Sequence, residues 1–343
     1  MTLEGSATTS CTAAKGRMSR ALARAWRGVQ KTGVAGQIVC LLIVMSIFAI
    51  GTRGRYLSWD NLQVILSLAG IPAILAIGIH QTIVLGGIDL SVEGIAGMCI
   101  VLVGLLLKNK FNTNDIGFWI VPVVMGAGGF AGLLNGLVIT RLKIPSFIST
   151  LGLSWVLAGI AVYINKATTV PLLDSQIQGV VNGSFLGIPL IALIALGLAL
   201  LMQAVQGKTR FGGYVYAIGG DEQLAQQAGV RVNRIKIIVF VIAGVFYGLT
   251  ALALCTQLGS AHPRTGTNIL FPAVTAVAVG GVALTGGIGG AKNAALGALI
   301  VTALNEGLVL MYVSPYVQQA VNGIVLIAAV ALTIDRRKLG FIK

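Results

Sequence analysis

A chain of 343 residues that is 56% hydrophobic and only 10% charged is not built like a soluble domain. Its mean hydropathy of +0.91 points to a polytopic membrane protein. A net charge of +14 would suggest a nucleic-acid partner in a soluble protein, but the basic residues here sit in short segments between apolar runs. The charge therefore reads as topology, and no nucleic acid is implied.

The first 33 residues form a basic tail carrying Lys15, Arg17, Arg20, Arg24, Arg27 and Lys31. The apolar run that follows ends in GTRGRY rather than a small-residue cleavage site, which predicts a retained first helix. Runs long enough to cross about 30 Å of hydrocarbon fall at about 34–52, 62–85, 90–107, 117–140, 146–164, 185–204, 237–256, 270–285, 294–313 and 317–334. The expected fold is all-α, with about ten transmembrane helices and a membrane domain over 34–334. A short C-terminal tail follows at 335–343. The 270–285 run is brief and rich in glycine, so a bent or re-entrant segment is expected there. With the tail inside, the ten-span order puts eighteen of the 24 Lys and Arg residues in the cytoplasm and six outside, with both termini cytoplasmic. The longest outer loop, about 165–184, either covers a vestibule or simply connects two spans.

Small residues recur at helical spacing. Gly128, Gly132 and Gly136 share one face, and Gly244 with Gly248 repeats the interval, which predicts close helix packing. A weak internal echo links Gly86–Ser91 with Gly280–Thr285, as in transporters whose halves carry interrupted helices.

Polar groups inside spans are candidates for lining a solute pathway. Asp89 and Glu93, four apart, are expected on one helix face at the start of the third span, where Asp89 serves either as a cap or in the pathway. Glu306, beside Asn305, is expected near the middle of the ninth span. His80 and Gln81 either bond a neighbouring helix or line a cavity, and Asn135, Phe147 and Thr150 complete the set. Cys11, Cys40, Cys99 and Cys255 are scattered without metal or disulfide spacing. The run at 286–293 lacks the Gly before Lys292 and the Ser or Thr after it that a phosphate loop requires, and no nucleophile–base motif occurs, so no enzyme is expected.

The stretch Gly207–Lys236 stands apart as a mixed, polar segment. Asp221 is a good N-cap, Glu222 to Ala228 favour helix and Gly229 supplies a C-cap, which predicts a two-turn helix outside the bilayer. Leu224, Ala225 and Ala228 give it a compact apolar side, and Glu222, Gln226 and Gln227 are its polar residues.

These segments resemble the permease subunits of bacterial ABC importers for ribose, related pentoses and hexoses, and autoinducer-2. The resemblance rests on GGIDLSV at 86–92, YAIGGDE and AGVRVNRIK within 216–236, GGVALTGGIGG at 280–290, LNEGL at 304–308 and SPYVQQAVNGIVLIAAV at 314–330. Two departures are Glu93, where the family usually has Gly, and Gln223–Leu224, where it usually has two alanines. The resemblance implies a bacterial inner-membrane protein paired with a second copy or a homologous permease, and a periplasmic sugar-binding protein. It also implies ATP-binding cassette subunits that hold ATP and magnesium, this chain binding no cofactor. Residues 221–229 would then seat in the ATPase. The rival reading is an ion-coupled secondary transporter using Asp89, Glu93 and Glu306.

Overall fold

The computed structural model describes residues 34–111 and 113–333, so the expected tails at 1–33 and 335–343 lie outside the described residues. The described part of the chain opens with α1 (Ala35–Gly51), α2 (Trp59–Val84), α3 (Val92–Leu106), α4 (Ile120–Arg141) and α5 (Ser146–Asn165). It continues through α6 (Ser175–Asn182), α7 (Leu190–Lys208), α8 (Arg210–Gly220), α9 (Glu222–Gln227) and α10 (Val232–Leu258). It closes with α11 (Leu270–Val279), α12 (Ala291–Leu310) and α13 (Pro315–Thr333). Helices α2, α4, α5, α7, α10 and α12 are long and apolar enough to cross a membrane, while α1, α3, α11 and α13 are shorter apolar helices. Together they fall on the ten apolar runs.

Two of those runs are not full crossings. Helix α11 has 10 residues, about 15 Å of rise, which is half the hydrocarbon thickness. Helix α3 has 15 residues and starts only after a non-helical stretch at 87–91. The cause lies in the glycines: Gly86 (φ +87°) ends the α2 turn and Gly281 (φ +81°) ends the α11 turn, in a backbone region that other residues avoid. The two short helices meet at their first turns, where Glu93 of α3 accepts a hydrogen bond from the Leu270 amide of α11 at 3.4 Å. The sequence echo thus corresponds to two helix breaks of similar form.

Helices α2 and α10 run through the centre, with 61% of the apolar window buried in each, against 22% for α5 and 28% for α7. Helix α10 packs most extensively on α4, and the glycines explain why. A methyl group on Gly128 would overlap the Gly244 carbonyl, one on Gly132 the Phe240 carbonyl, and one on Gly136 would lie 2.8 Å from the Ile237 Cα. Backbones can therefore touch, which supplies dispersion and weak Cα–H contacts where lipid gives no hydrophobic drive.

At one end of the bundle the 165–184 segment folds into an ordered cover. Strand β1 (Val170–Pro171) pairs antiparallel with β4 (Ser260–Ala261), while β2 (Ser184–Phe185) and β3 (Ile188–Pro189) form a hairpin. Asp174 caps α6 by accepting from the Gln176 and Ile177 amides. The opposite end carries α8 and α9. There Gln37 of α1, itself buried, donates to the Gly280 carbonyl at 2.6 Å.

Candidate functional site

Helices α8 and α9 form an elbow. Asp221 Oδ1 accepts from the Leu224 amide at 3.0 Å and so caps α9. Gly229 (φ +84°) closes it, with the Val230 amide returning to the Ala225 carbonyl. The capping expected from sequence is present, and α9 is shorter than the expected two turns. Leu224 is 62% exposed, and Gln226, Gln227 and Ala228 are exposed beside it. Ala225 does not join that outer face: it is buried in the chain's own core and fastens α9 to the bundle. Glu222 is turned to Lys236, with an ion pair of 2.7 Å. Beneath the elbow lies an open cavity of about 560 Å³ bounded by Gly86, Gly87, Lys143, Ser146, Gln226 and Asn233.

The break between α2 and α3 forms the floor of this region, and its amides need acceptors because no helix or sheet supplies them. Helix α5 provides a ladder of hydroxyls four residues apart. Ser146 Oγ accepts from the Ile88 amide at 3.2 Å, Thr150 Oγ1 from Leu90 at 2.9 Å and Ser154 Oγ from Gly94 at 3.1 Å. Thr150, expected in a pathway, is fully buried in this ladder, while Ser146 and Ser154 were missed. The repeat of Ser and Thr at helical spacing was their signal.

Asp89 and Glu93 do not share a helix face as the spacing suggested, because α3 starts at Val92 and leaves Asp89 in the non-helical stretch before it. Asp89 is buried at 4% exposure. Its Oδ1 accepts from the Ser91 amide and hydroxyl at 2.9 and 2.6 Å, and its Oδ2 from the Tyr247 hydroxyl at 3.0 Å. Asn135 joins the node by donating to Ser91 Oγ at 2.9 Å. Helices α4 and α10 are thereby tied to the break.

His80 and Gln81 form a second buried node with Gln206 of α7, which the sequence reading missed. His80 Nδ1 faces the Ile77 carbonyl and so carries the proton, leaving Nε2 as the acceptor. Gln206 Nε2 donates to His80 Nε2 at 2.8 Å and to Gln81 Oε1 at 3.1 Å. Its Oε1 accepts from Ala291 at 3.1 Å, the first amide of α12. One side chain thus pins three helices. Replacing it by leucine (Q206L) leaves these buried groups unpaired and is expected to lower the thermal midpoint in detergent by about 5–10 °C. An unchanged midpoint would show that the pin contributes nothing.

The remaining candidates are scattered. Glu306 is half-buried near the end of α12, four residues from its last residue, rather than at mid-span. Asn305 accepts from Asn322 Nδ2 of α13 at 3.0 Å, and Phe147 is 47% exposed at the start of α5. The structure therefore groups Asp89, Asn135 and Thr150 around one break, pairs His80 with Gln81, and leaves Phe147, Asn305 and Glu306 apart.

The model of a family described as branched-chain amino acid transport system / permease component matches residues 61–330. A ribose import permease protein of Haemophilus influenzae is 32% identical over 85% of this chain and 90% of its own length. A galactose/methyl galactoside import permease protein of Escherichia coli is 31% identical over 87% and 93%. An autoinducer 2 import system permease protein of Photorhabdus luminescens is 32% identical over 85% and 86%. No solved structure matches.

Proposed function

The chain belongs to the branched-chain amino acid transport system / permease component family, and on that premise we propose that it is the membrane subunit of an ATP-driven importer for a ribose-like monosaccharide or a related polyhydroxylated solute. The solute class is supported by relatives of sugar-import name that match along nearly their full length. The observation that carries the mechanism is the elbow: a doubly capped helix with Leu224 exposed on its outer face and Ala225 locked into the bundle. Such an element transmits a push from outside without melting.

In this reading α9 lies on the cytoplasmic side and seats in a groove of a separate ATPase, which holds ATP and magnesium. Leu224 enters the groove, and Gln226 and Gln227 bond at its rim. A periplasmic binding protein delivers the solute and sets its identity. A second permease, identical or homologous, completes the passage, and the cavity bounded by Gly86, Gly87 and Ser146 is its inner mouth. The excess of basic residues on the α9 side supports this orientation in the bacterial inner membrane.

The test is co-purification of an ATPase from detergent, followed by proteoliposome uptake of labelled ribose and galactose with and without ATP on the α9 side. Leu224→Arg inserts a charge into the docking groove and is expected to reduce ATP-dependent uptake at least about tenfold while the permease still folds, because Leu224 touches little of its own chain. Wild-type uptake by this variant, or uptake driven by an ion gradient alone, would overturn the reading. Reversal at Glu222 is a weaker probe, since an exposed ion pair contributes roughly 0–1 kcal/mol.

A further inference from the structure

We propose that the glycine-rich loop Gly280–Gly290, gripped through Tyr216, receives the movement of α9 and passes it to both broken helices. This rests on the ATPase-docking reading above and adds the internal route, with Tyr216 as its positioning residue.

The loop is long and non-helical, yet it is held from four directions. Gln37 of α1 donates to its Gly280 carbonyl at 2.6 Å. The carbonyl of Val84, the last residue of α2, accepts from the Gly287 amide at 2.8 Å. Gln203 and Gln206 of α7 accept from the Lys292 and Ala291 amides just beyond it, at 3.4 and 3.1 Å. Tyr216 of α8 donates to its Gly289 carbonyl at 2.6 Å. Burial raises the Tyr216 hydroxyl above its ordinary pKa, so it remains a donor through neutral and mildly alkaline conditions.

Of these grips, the Tyr216 hydrogen bond is the one that belongs to the elbow. Helix α8 ends at Gly219–Gly220, and Asp221, the cap of α9, follows directly. At that end three backbones converge. A methyl on Gly219 would overlap the Val84 carbonyl and lie 2.6 Å from the Gly287 nitrogen, while one on Gly286 would lie 3.0 Å from the Gly86 Cα. Gly286 (φ +85°), Gly287 (φ +75°) and Gly289 (φ +125°) hold conformations that other residues resist. The elbow, the break after α2 and the loop before α12 therefore share one contact point. A displacement of α8 reaches α2–α3 through Val84 and α11–α12 through Gly287 and Gly289.

The competing route runs from α9 straight into α10, along the connecting backbone at 228–231 and through the Glu222–Lys236 ion pair. The two differ in what the loop does when Tyr216 loses its hydroxyl. Tyr216→Phe keeps the ring and removes the donor. Spatial contact alone does not establish coupling, so the test must read a response of the loop itself.

The experiment is amide hydrogen exchange on the permease with its co-purified ATPase, before and after trapping the ATPase with ATP and vanadate. In the wild type, trapping is expected to change exchange at 221–229 and, by about fivefold or more, at Gly286–Gly289. In the Tyr216→Phe complex the change at 221–229 persists while that at Gly286–Gly289 falls below about twofold. A purely structural defect would alter exchange before trapping and leave the response to trapping intact. A wild-type loop that stays unchanged while 221–229 responds overturns the proposal, as does a Phe variant whose loop responds fully. No response at 221–229 in the wild type removes the docking reading, and the route falls with it.

Discussion

Gly244→Leu is expected to abolish recovery of folded protein, the largest effect of any single substitution considered. The site is among the closest approaches of α4 and α10, where any side-chain carbon on Gly244 overlaps the Gly128 carbonyl. Rotamer adjustment cannot relieve a clash with backbone, so the helices must separate. Separation forfeits the Gly128, Gly132 and Gly248 contacts together, and with them the seat of Tyr247 on Asp89. The cost exceeds about 4 kcal/mol, a large share of the stability of a typical domain. Gly126, on the same helix as Gly128, has open space where its methyl would go, so Gly126→Ala is expected to leave stability unchanged or raise it by up to about 1 kcal/mol. The comparison is read as monodisperse yield and thermal midpoint in detergent. A Gly244→Leu protein that purifies and melts like the wild type would refute the backbone-contact account of this interface.

The second large effect is expected at Asp89. Alanine there removes the acceptor for the Ser91 amide, the Ser91 hydroxyl and the Tyr247 hydroxyl. Ser91 and Tyr247 are fully buried, so no water replaces the lost partner. Each unmade buried bond costs roughly 1–3 kcal/mol, which predicts a midpoint about 10 °C lower for Asp89→Ala. Asn135, which holds Ser91 from α4, would lose its own anchor in turn. Asp89→Asn keeps an acceptor for Ser91, and the Tyr247 hydroxyl can rotate, so it should recover more than half of the loss. Equal midpoints for the Ala variant and the wild type would mean that the node does not organise the break.

What the sequence made legible follows from local rules. Asp221 and Gly229 bracket α9 because capping depends on one or two residues. The Gly128 and Gly244 stripes were readable because helix periodicity is fixed. Helix α8 was not readable: four glycines in RFGGYVYAIGG disfavour a helix by about 1 kcal/mol each relative to alanine, and the helix forms through packing of Val215, Ile218 and Gly219. The brief, glycine-rich run at 270–285 made the shortness of α11 legible, whereas run length was misleading for α3, since hydropathy reports apolar content and not the path of the chain. The Asp89–Glu93 pairing failed because a four-residue interval aligns side chains only within a continuous helix, and Asp89 lies in the break while Glu93 lies in α3. Gln206 resembled an interfacial residue at the end of an apolar run, whereas its partners His80 and Ala291 are 126 and 85 positions away.

The bond from Gln37 to Gly280 sets a timetable for making this protein. Its two ends are 243 residues apart, so at roughly 5–20 residues per second the acceptor is synthesised about 10–50 s after the donor. During that interval the first helix carries a polar amide with no mate, on a segment whose Ile38, Val39, Leu42 and Ile43 face outward even in the finished fold. Helix α1 must therefore tolerate lipid or an insertion factor as a temporary neighbour, and the late-made Gly280 turn gives its amide a permanent one. The packing of α1 is thus completed only once the turn after α11 has been made.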